Sequence, residues 1–456
     1  MPRPMSLWRM IGPSFILLGL GLGSGELILW PYLSVNYGLG IIWGAVLGIT
    51  LQFFINMEIE RYTLVTGESV FVGLARKWSR LMPVWFIFST FLPWVWPGIA
   101  LSGATILSQI FGAGEPVLWA IGLMLLVGVI LSFGRVIYKT QEKWQKALIV
   151  IGVPVILIIA LVLASEDTWS ELGRGVIGIG DGYWFLPAGL QLFTFLGALA
   201  YSGAGGNLNL AQSYYIREKG YGMGKYFGRI TSLIRGLNEK VKLEGGQFEI
   251  NQVNLSRFRR WWKLINIEHG LVFWLTGLIT MLMLSLLARE TLGGDGGGAA
   301  GIGFIISEGE VIGERLGGVV GWLFLLVAGM MLFSTQLSVM DATSRIMAEN
   351  LVIADRKKFP VEGMPKYFYA FLWLQIVVGI LILMFGFRQP LLLVTLGAVL
   401  NAWAMFVYTA MVLWLNRSRL SKEIRPGWLR VGMLVLALVV YGTLGGWAVM
   451  DGLGVW

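Results

Sequence analysis

Apolar runs long enough to cross a bilayer recur along the whole chain, and polar positions gather in the intervals between them. A hydrocarbon core about 30 Å thick takes roughly 20 apolar residues per helix. Eleven segments meet this need, at 11–35, 39–60, 83–111, 117–134, 146–165, 185–215, 261–288, 313–340, 366–387, 390–415 and 430–450. The first follows only Arg3 and Arg9, and no soluble chain comes after it, so it reads as a retained helix rather than a cleaved leader. The pattern predicts an all-α membrane protein in one transmembrane domain spanning 1–456.

The basic residues test that list independently. Of 35 Lys and Arg, 31 fall before the first span or in the even-numbered connections, eleven of them between Arg217 and Lys263. Only Arg174, Arg289, Arg315 and Arg388 fall on the other side, among acids such as Glu166, Asp167, Glu290, Glu308 and Glu310. Eleven spans with a cytoplasmic N-terminus and an extracytoplasmic C-terminus satisfy the positive-inside rule at every loop. The expected location is therefore a plasma or inner membrane. The net charge of +9 orients the chain and requires no nucleic-acid partner.

Composition agrees and narrows the chemistry. Apolar residues make up 56% and charged residues 13%, against about 25% charged in soluble domains. The absence of cysteine excludes disulfides, thiolate metal sites and cysteine nucleophiles. One histidine excludes a multi-histidine zinc or haem site. No nucleophile–base arrangement and no cofactor motif is found, so neither enzyme activity nor a cofactor is expected. The main polar connection, 217–260, is expected to be a cytoplasmic loop. Its run Arg257-Phe258-Arg259-Arg260-Trp261-Trp262-Lys263 reads as a stop signal and interfacial anchor. Gly293-Gly294-Asp295-Gly296-Gly297-Gly298 reads as a flexible outer loop.

Two spans carry glycine clusters at their centres: Gly19-Leu20-Gly21-Leu22-Gly23-Ser24-Gly25-Glu26 in the first, and Ser202-Gly203-Ala204-Gly205-Gly206-Asn207 in the sixth. Glycine inside a helix costs about 1 kcal/mol relative to alanine, so these clusters invite unwinding, or else close helix packing. Interrupted segments at matching positions of two halves point to a transporter site. The expected architecture is a five-plus-five inverted repeat of LeuT type, with repeats at about 11–165 and 185–415 and helix eleven appended.

Glu26 is the one acid in the first interruption, and a mid-membrane carboxylate defaults to function. It also suits the first turn of a half-helix capped by Ser24. Asp341 and Arg345, one turn apart, are expected to pair as a gating or structural element. Glu58 and Glu60 flank Arg61 at the end of the second span and read as interfacial, while Glu268 and His269 sit at the start of the seventh, where a lone histidine does not read as a ligand and a proton relay is the lesser alternative. Trp94 and Trp96, set between Pro93 and Pro97, read as packing aromatics beside a pathway.

Gly12-Pro13-Ser14-Phe15, then Gln52 with Arg61 and Val65-Thr66-Gly67, and Arg345-Ile346-Met347-Ala348-Glu349-Asn350 together resemble the Nramp family of divalent-metal transporters, within the amino-acid–polyamine–organocation superfamily. That family's metal site uses Asp-Pro-Gly-Asn in helix one and Met-Pro-His in helix six. The corresponding positions here are Gly23-Ser24-Gly25-Glu26 and Ala204-Gly205-Gly206. The aspartate, the methionine sulfur and the histidine are gone, and a carboxylate stands where the asparagine was. Oxygen-only sites suit hard ions. The resemblance thus implies a pocket for partly hydrated Mg²⁺, with Glu26 as anionic ligand or water holder and carbonyls from Gly23 and Ala204. Ser24, Gly25, Ser202, Gly205, Asn207 and Asn401 are the lesser substrate contacts expected. The missing histidine and the lack of acids between Pro83 and Gly114 argue against proton coupling. An amino-acid, bicarbonate or other small-anion carrier using the half-helix N-termini is the competing reading, and a non-transporting sensor or scaffold the lesser one. The partners expected are thus a small ion or small molecule and the lipid bilayer.

Overall fold

The computed structural model describes residues 1–133, 137–227, 242–293 and 301–452, with backbone alone at 137–141, 451 and 452. The glycine-rich outer stretch from Gly294, Arg135, the Lys139 side chain and the loop segment 228–241 lie outside the described residues.

Among the described residues the chain is helical apart from a two-stranded hairpin pairing Ile179–Gly180 with Tyr183–Trp184. Among these residues ten helices are long and apolar enough to cross a membrane: Pro13–Tyr37, Leu39–Thr66, Leu81–Phe111, Pro116–Phe133, Glu142–Leu163, Gln252–Leu292, Gly318–Ala354, Val361–Met384, Pro390–Arg419 and Trp428–Met450. They are helices one to five and seven to eleven. Helix six stands in two pieces, Leu192–Ala200 and Gln212–Lys219, each too short to span alone. Its opening is why length and hydropathy count ten spans where the sequence pattern counts eleven.

Several boundaries move for local reasons. Helix seven starts at Gln252, where the Asn251 side chain accepts the Asn254 N–H at 2.9 Å. Part of the expected 217–260 loop is therefore helical, and Phe258 and Trp261 of the basic run are buried. Helix eight starts at Gly318, because Gly317 (φ 101°) turns the chain out of a separate helix, Gly303–Leu316. It also runs on to Ala354, so Asp341 and Arg345 lie inside it. A further short helix, Glu166–Gly175, is capped by Ser165 and carries Glu166 and Asp167 in its positive first turn.

Helices one and six lie at the middle of the bundle. Helix one is buried along nearly its whole length, packed by helices five, seven and eight, while helix ten covers the first half of helix six. Large apolar side chains on helices three, four and five, among them Phe88, Leu92, Leu118, Ile158 and Leu161, are exposed. They form the outer surface that a lipid environment would cover.

Candidate functional site

The two glycine clusters resolve in different ways. Helix one does not unwind. Its backbone runs from an α-helix, Pro13–Gly21, through a π-helical stretch, Leu22–Leu29, into a second α-helix, Trp30–Tyr37. The expectation of an open break in helix one is corrected to a widened turn, and the cause is a side chain from helix eight. The Thr335 hydroxyl accepts the Gly23 N–H at 3.0 Å and donates to the Gly19 carbonyl at 2.9 Å. Those are the donor and acceptor of one ordinary i→i−4 bond, so the hydroxyl is inserted into the ladder, a recognised cause of helix distortion. Thr335→Val keeps the shape and removes the hydroxyl, leaving a buried donor and acceptor to close on each other or stay unpaired at about 1–3 kcal/mol each. The expected result is a lower Tm for purified Thr335→Val and recovery in Thr335→Ser. Equal melting of all three would show the bridge to be incidental.

Helix six does open. After Ala200 the chain leaves helical geometry, and Gly205 (φ 76°) and Gly206 (φ 51°) take left-handed conformations before a 3-10 turn, Gly206–Ala211, leads into the second half. Freed backbone groups at this depth need partners. Gln52 of helix two supplies them: its Nε2 donates to the Ala200 carbonyl at 2.9 Å, and its Oε1 accepts from the Gly205 N–H and Asn209 Nδ2, each at 3.2 Å. One amide thus bridges both sides of the gap.

Glycines let the two segments touch. A methyl group on Gly21 would lie 2.6 Å from the Gly203 carbonyl oxygen, and one on Gly25 only 1.7 Å from that of Tyr201. The close-packing role of these glycines is therefore real, and it acts together with the interruption of helix six.

Residues 23–26 face different neighbours. Gly23 meets Thr335 on helix eight, Gly25 meets Tyr201 on helix six, and Glu26 faces Gly277 on helix seven, whose added Cβ would lie 3.3 Å from Glu26 Oε1. Leu18 and Ile49 close on the same spot. Glu26 is fully buried, and neither of its carboxylate oxygens has a hydrogen-bond partner; the Ser24 hydroxyl is equally buried and unpartnered. Among the described residues no three His, Asp or Glu side chains gather as a metal cluster. Any cation held here would rely on one carboxylate, backbone carbonyls and retained water.

The remaining candidates line the opening of helix six. The Ser202 hydroxyl donates to the Ala198 carbonyl at 3.0 Å and accepts from Trp30 Nε1 at 2.9 Å. Ala204 is buried. Asn207 Nδ2 donates to the Ser89 and Thr90 hydroxyls of helix three at 2.8 and 2.9 Å, and its Oδ1 is unpartnered. Asn401 Nδ2 donates to the Tyr201 hydroxyl at 3.0 Å, and its own free Oδ1 sits where a side chain on Gly206 would be. Trp94 stacks on Tyr201 with centroids 5.2 Å apart, where helix three breaks before Pro97. Arg345 Nε lies 2.8 Å from both Asp341 oxygens, and its Nη1 donates to Glu218 at the end of helix six. Beside this pair Arg217 meets Glu349 at 3.1 Å, and Ser69 donates to the same carboxylate. Helices six and eight are thus tied by two buried ion pairs.

Thr335, Tyr201, Trp30 and Gly277 carry no sequence signal of their role. Gln52 is visible as a buried-span polar residue, but its part in bridging helix six is not.

No protein-family model matches the chain, and no curated protein matches it in sequence. Solved structures do resemble it. A variant of the Eremococcus coleocola manganese transporter superposes with a TM-score of 0.71 at 14% identity, covering 98% of this chain and 87% of that one. Mhp1, a nucleobase-cation-symport-1 family transporter, gives 0.52 at 15% identity over 98% and 94%. MhsT in complex with L-phenylalanine gives 0.50 at 14% over 96% and 97%. The chain has the LeuT fold. At such identities the likeness establishes architecture, and substrate chemistry must come from this chain's own residues.

Proposed function

We propose that the chain is a secondary transporter of a hard, partly hydrated divalent cation, with Mg²⁺ favoured over transition metals. It works by alternating access around helices one and six, in a plasma or inner membrane with its N-terminus cytoplasmic. The observation that carries this reading is Glu26: a fully buried carboxylate without a partner, on a widened helical turn against the opening of helix six. A lone buried charge is expensive unless paired, so a cation is its natural complement. The donor it offers is a carboxylate oxygen, as suits a hard ion. The likeness to a manganese transporter agrees with a metal cargo, while the absence of sulfur and imidazole at positions 204–206 favours a harder one. Against an anion, the Gly205 N–H at the head of the 3-10 turn in the opening of helix six is already committed to Gln52.

Uptake of Mg²⁺ and Mn²⁺ into proteoliposomes tests the proposal. Mg²⁺ should be preferred, and Glu26→Gln should reduce its uptake at least about tenfold, the loss of one charged contact of about 1.4 kcal/mol or more. Uptake indifferent to both the ion and the substitution would overturn it.

A further inference from the structure

Helix seven presents His269, Phe273 and Gly277 at four-residue spacing, hence on one face. Gly277 lies against Glu26, and the edge of Phe273 reaches the opening of helix six, where a methyl on Gly203 would meet its Cζ at 2.7 Å. Phe273 stacks on His269 at 4.7 Å, and Phe53 covers that ring at 5.7 Å. The single histidine of the chain is thus separated from the central carboxylate by one aromatic side chain.

His269 does not stand alone. Ser14, in the first turn of helix one, donates its hydroxyl to Glu268 Oε2 at 2.5 Å, and the Ser14 Oγ itself lies 2.8 Å from His269 Nδ1. Glu60 Oε1 is 3.4 Å from that nitrogen and accepts from Gln212 Nε2 at 2.8 Å. All of these groups are buried, and His269 Nε2, Glu60 Oε2 and Glu268 Oε1 have no partner. The charges facing the cluster are already engaged with one another. On its helix-two and helix-eleven side, Arg61 pairs with Glu58, and Arg430 approaches Glu58 at 3.5 Å. On the helix-five and helix-six side, Lys146 and Lys219 share Glu142.

A hydroxyl has one proton to give. Because Ser14 gives its own to Glu268, the 2.8 Å contact with His269 requires Nδ1 to be the donor. The order His269 Nδ1–H, Ser14 O–H, Glu268 carboxylate is then a directed chain with a bare Nε2 at its head. Capping helix one would need only Ser14 and Glu268, and explains neither the histidine nor its orphaned nitrogen.

We propose that His269, Ser14 and Glu268, with Glu60 facing the imidazole, form a buried proton relay against the first half of helix one. A proton taken up at Nε2 is matched by release of the Nδ1 proton to Ser14 Oγ, whose own proton passes to Glu268 Oε2. The imidazolium between those events is held by Glu60. Since Ser14 rides on the first half of helix one, movement of that half makes or breaks the chain. Proton movement is thereby linked to the alternating access proposed above, on which this linkage, though not the relay itself, rests.

Two measurements decide it. ¹⁵N-histidine labelling gives one imidazole, and its neutral form should carry the proton on Nδ1; Ser14→Ala should shift the tautomer and Ser14→Thr restore it. A proton on Nε2 in the wild type overturns the relay whether or not the protein transports. In proteoliposomes an inward proton gradient should accelerate Mg²⁺ uptake severalfold, and His269→Gln should lose the acceleration while keeping uptake at equal pH. Undiminished acceleration in His269→Gln refutes the linkage. Absence of divalent-cation uptake in the wild type would instead refute the transport reading and leave the tautomer test to decide the relay.

Discussion

Gln52→Leu should leave little folded protein. The side chain bonds the Ala200 carbonyl, the Gly205 N–H and the Asn209 amide, all buried at the opening of helix six. Leucine keeps the approximate volume and orphans the Ala200 carbonyl and the Gly205 N–H, while Asn209 Nδ2 keeps its bond to the Tyr408 hydroxyl. Each unpaired buried group costs about 1–3 kcal/mol, so the sum, roughly 2–6 kcal/mol, is a large part of the whole stability of an ordinary domain, about 5–15 kcal/mol. Water cannot readily substitute, because these groups lie inside the bundle. Size-exclusion profiles and thermal melts of detergent-purified protein check this. A monodisperse Gln52→Leu melting within a few degrees of wild type would mean that the opening needs no such bridge.

Gly25→Ala should be nearly as damaging, for a steric reason. The added carbon would lie 1.7 Å from the Tyr201 carbonyl oxygen and 2.4 Å from its carbon, both backbone atoms of another segment. Relief requires moving helix one off helix six, and even ordinary overpacking costs about 1–3 kcal/mol. Gly446→Ala in helix eleven is the control, since nothing lies within 4 Å of its added carbon. There alanine should be neutral, or stabilise by about 0.5–1 kcal/mol through helix propensity. Expected is a large fall in Tm and loss of uptake for Gly25→Ala and none for Gly446→Ala. Similar behaviour of the two would show that the helix crossing tolerates separation.

The comparison of the two glycine clusters shows where reading the chain by itself runs out. Both carry closely spaced glycines with a serine, yet one widens and the other opens. In helix one none of Gly19, Gly21, Gly23 and Gly25 leaves the right-handed region, and the disturbance comes from Thr335, more than 300 positions away. In helix six Gly205 and Gly206 cross to positive φ, and an amide from helix two sustains the gap. Local propensity marks where a helix is weak. What enters the weak place is a property of neighbours distant in sequence.

Glu26 repeats the lesson at the candidate site. Its presence as the one acid in a central apolar segment is legible, because charge at that depth is costly and rare. Its direction is not. Gly23, Gly25 and Glu26 were expected around one pocket, and they face helices eight, six and seven respectively. Adjacent helical residues diverge by about a quarter turn or more, so only the packing of the surrounding helices selects which of them meet a shared ligand. The Asp341–Arg345 pair was legible because four-residue spacing brings side chains together within one helix. Its extension to Glu218 joins two helices and was not.

Hydrophobic length and the placement of Lys and Arg determined the membrane class, the spans and the expected orientation, because transfer of side chains between water and lipid is an additive local property. Glycine content determined which spans would be weak. The tertiary structure alone decided that Thr335 widens helix one, that Gln52 holds helix six open, and that Glu26 looks toward helix seven. Each of those is a contact between groups far apart in the chain, and its energy exists only once the helices are packed.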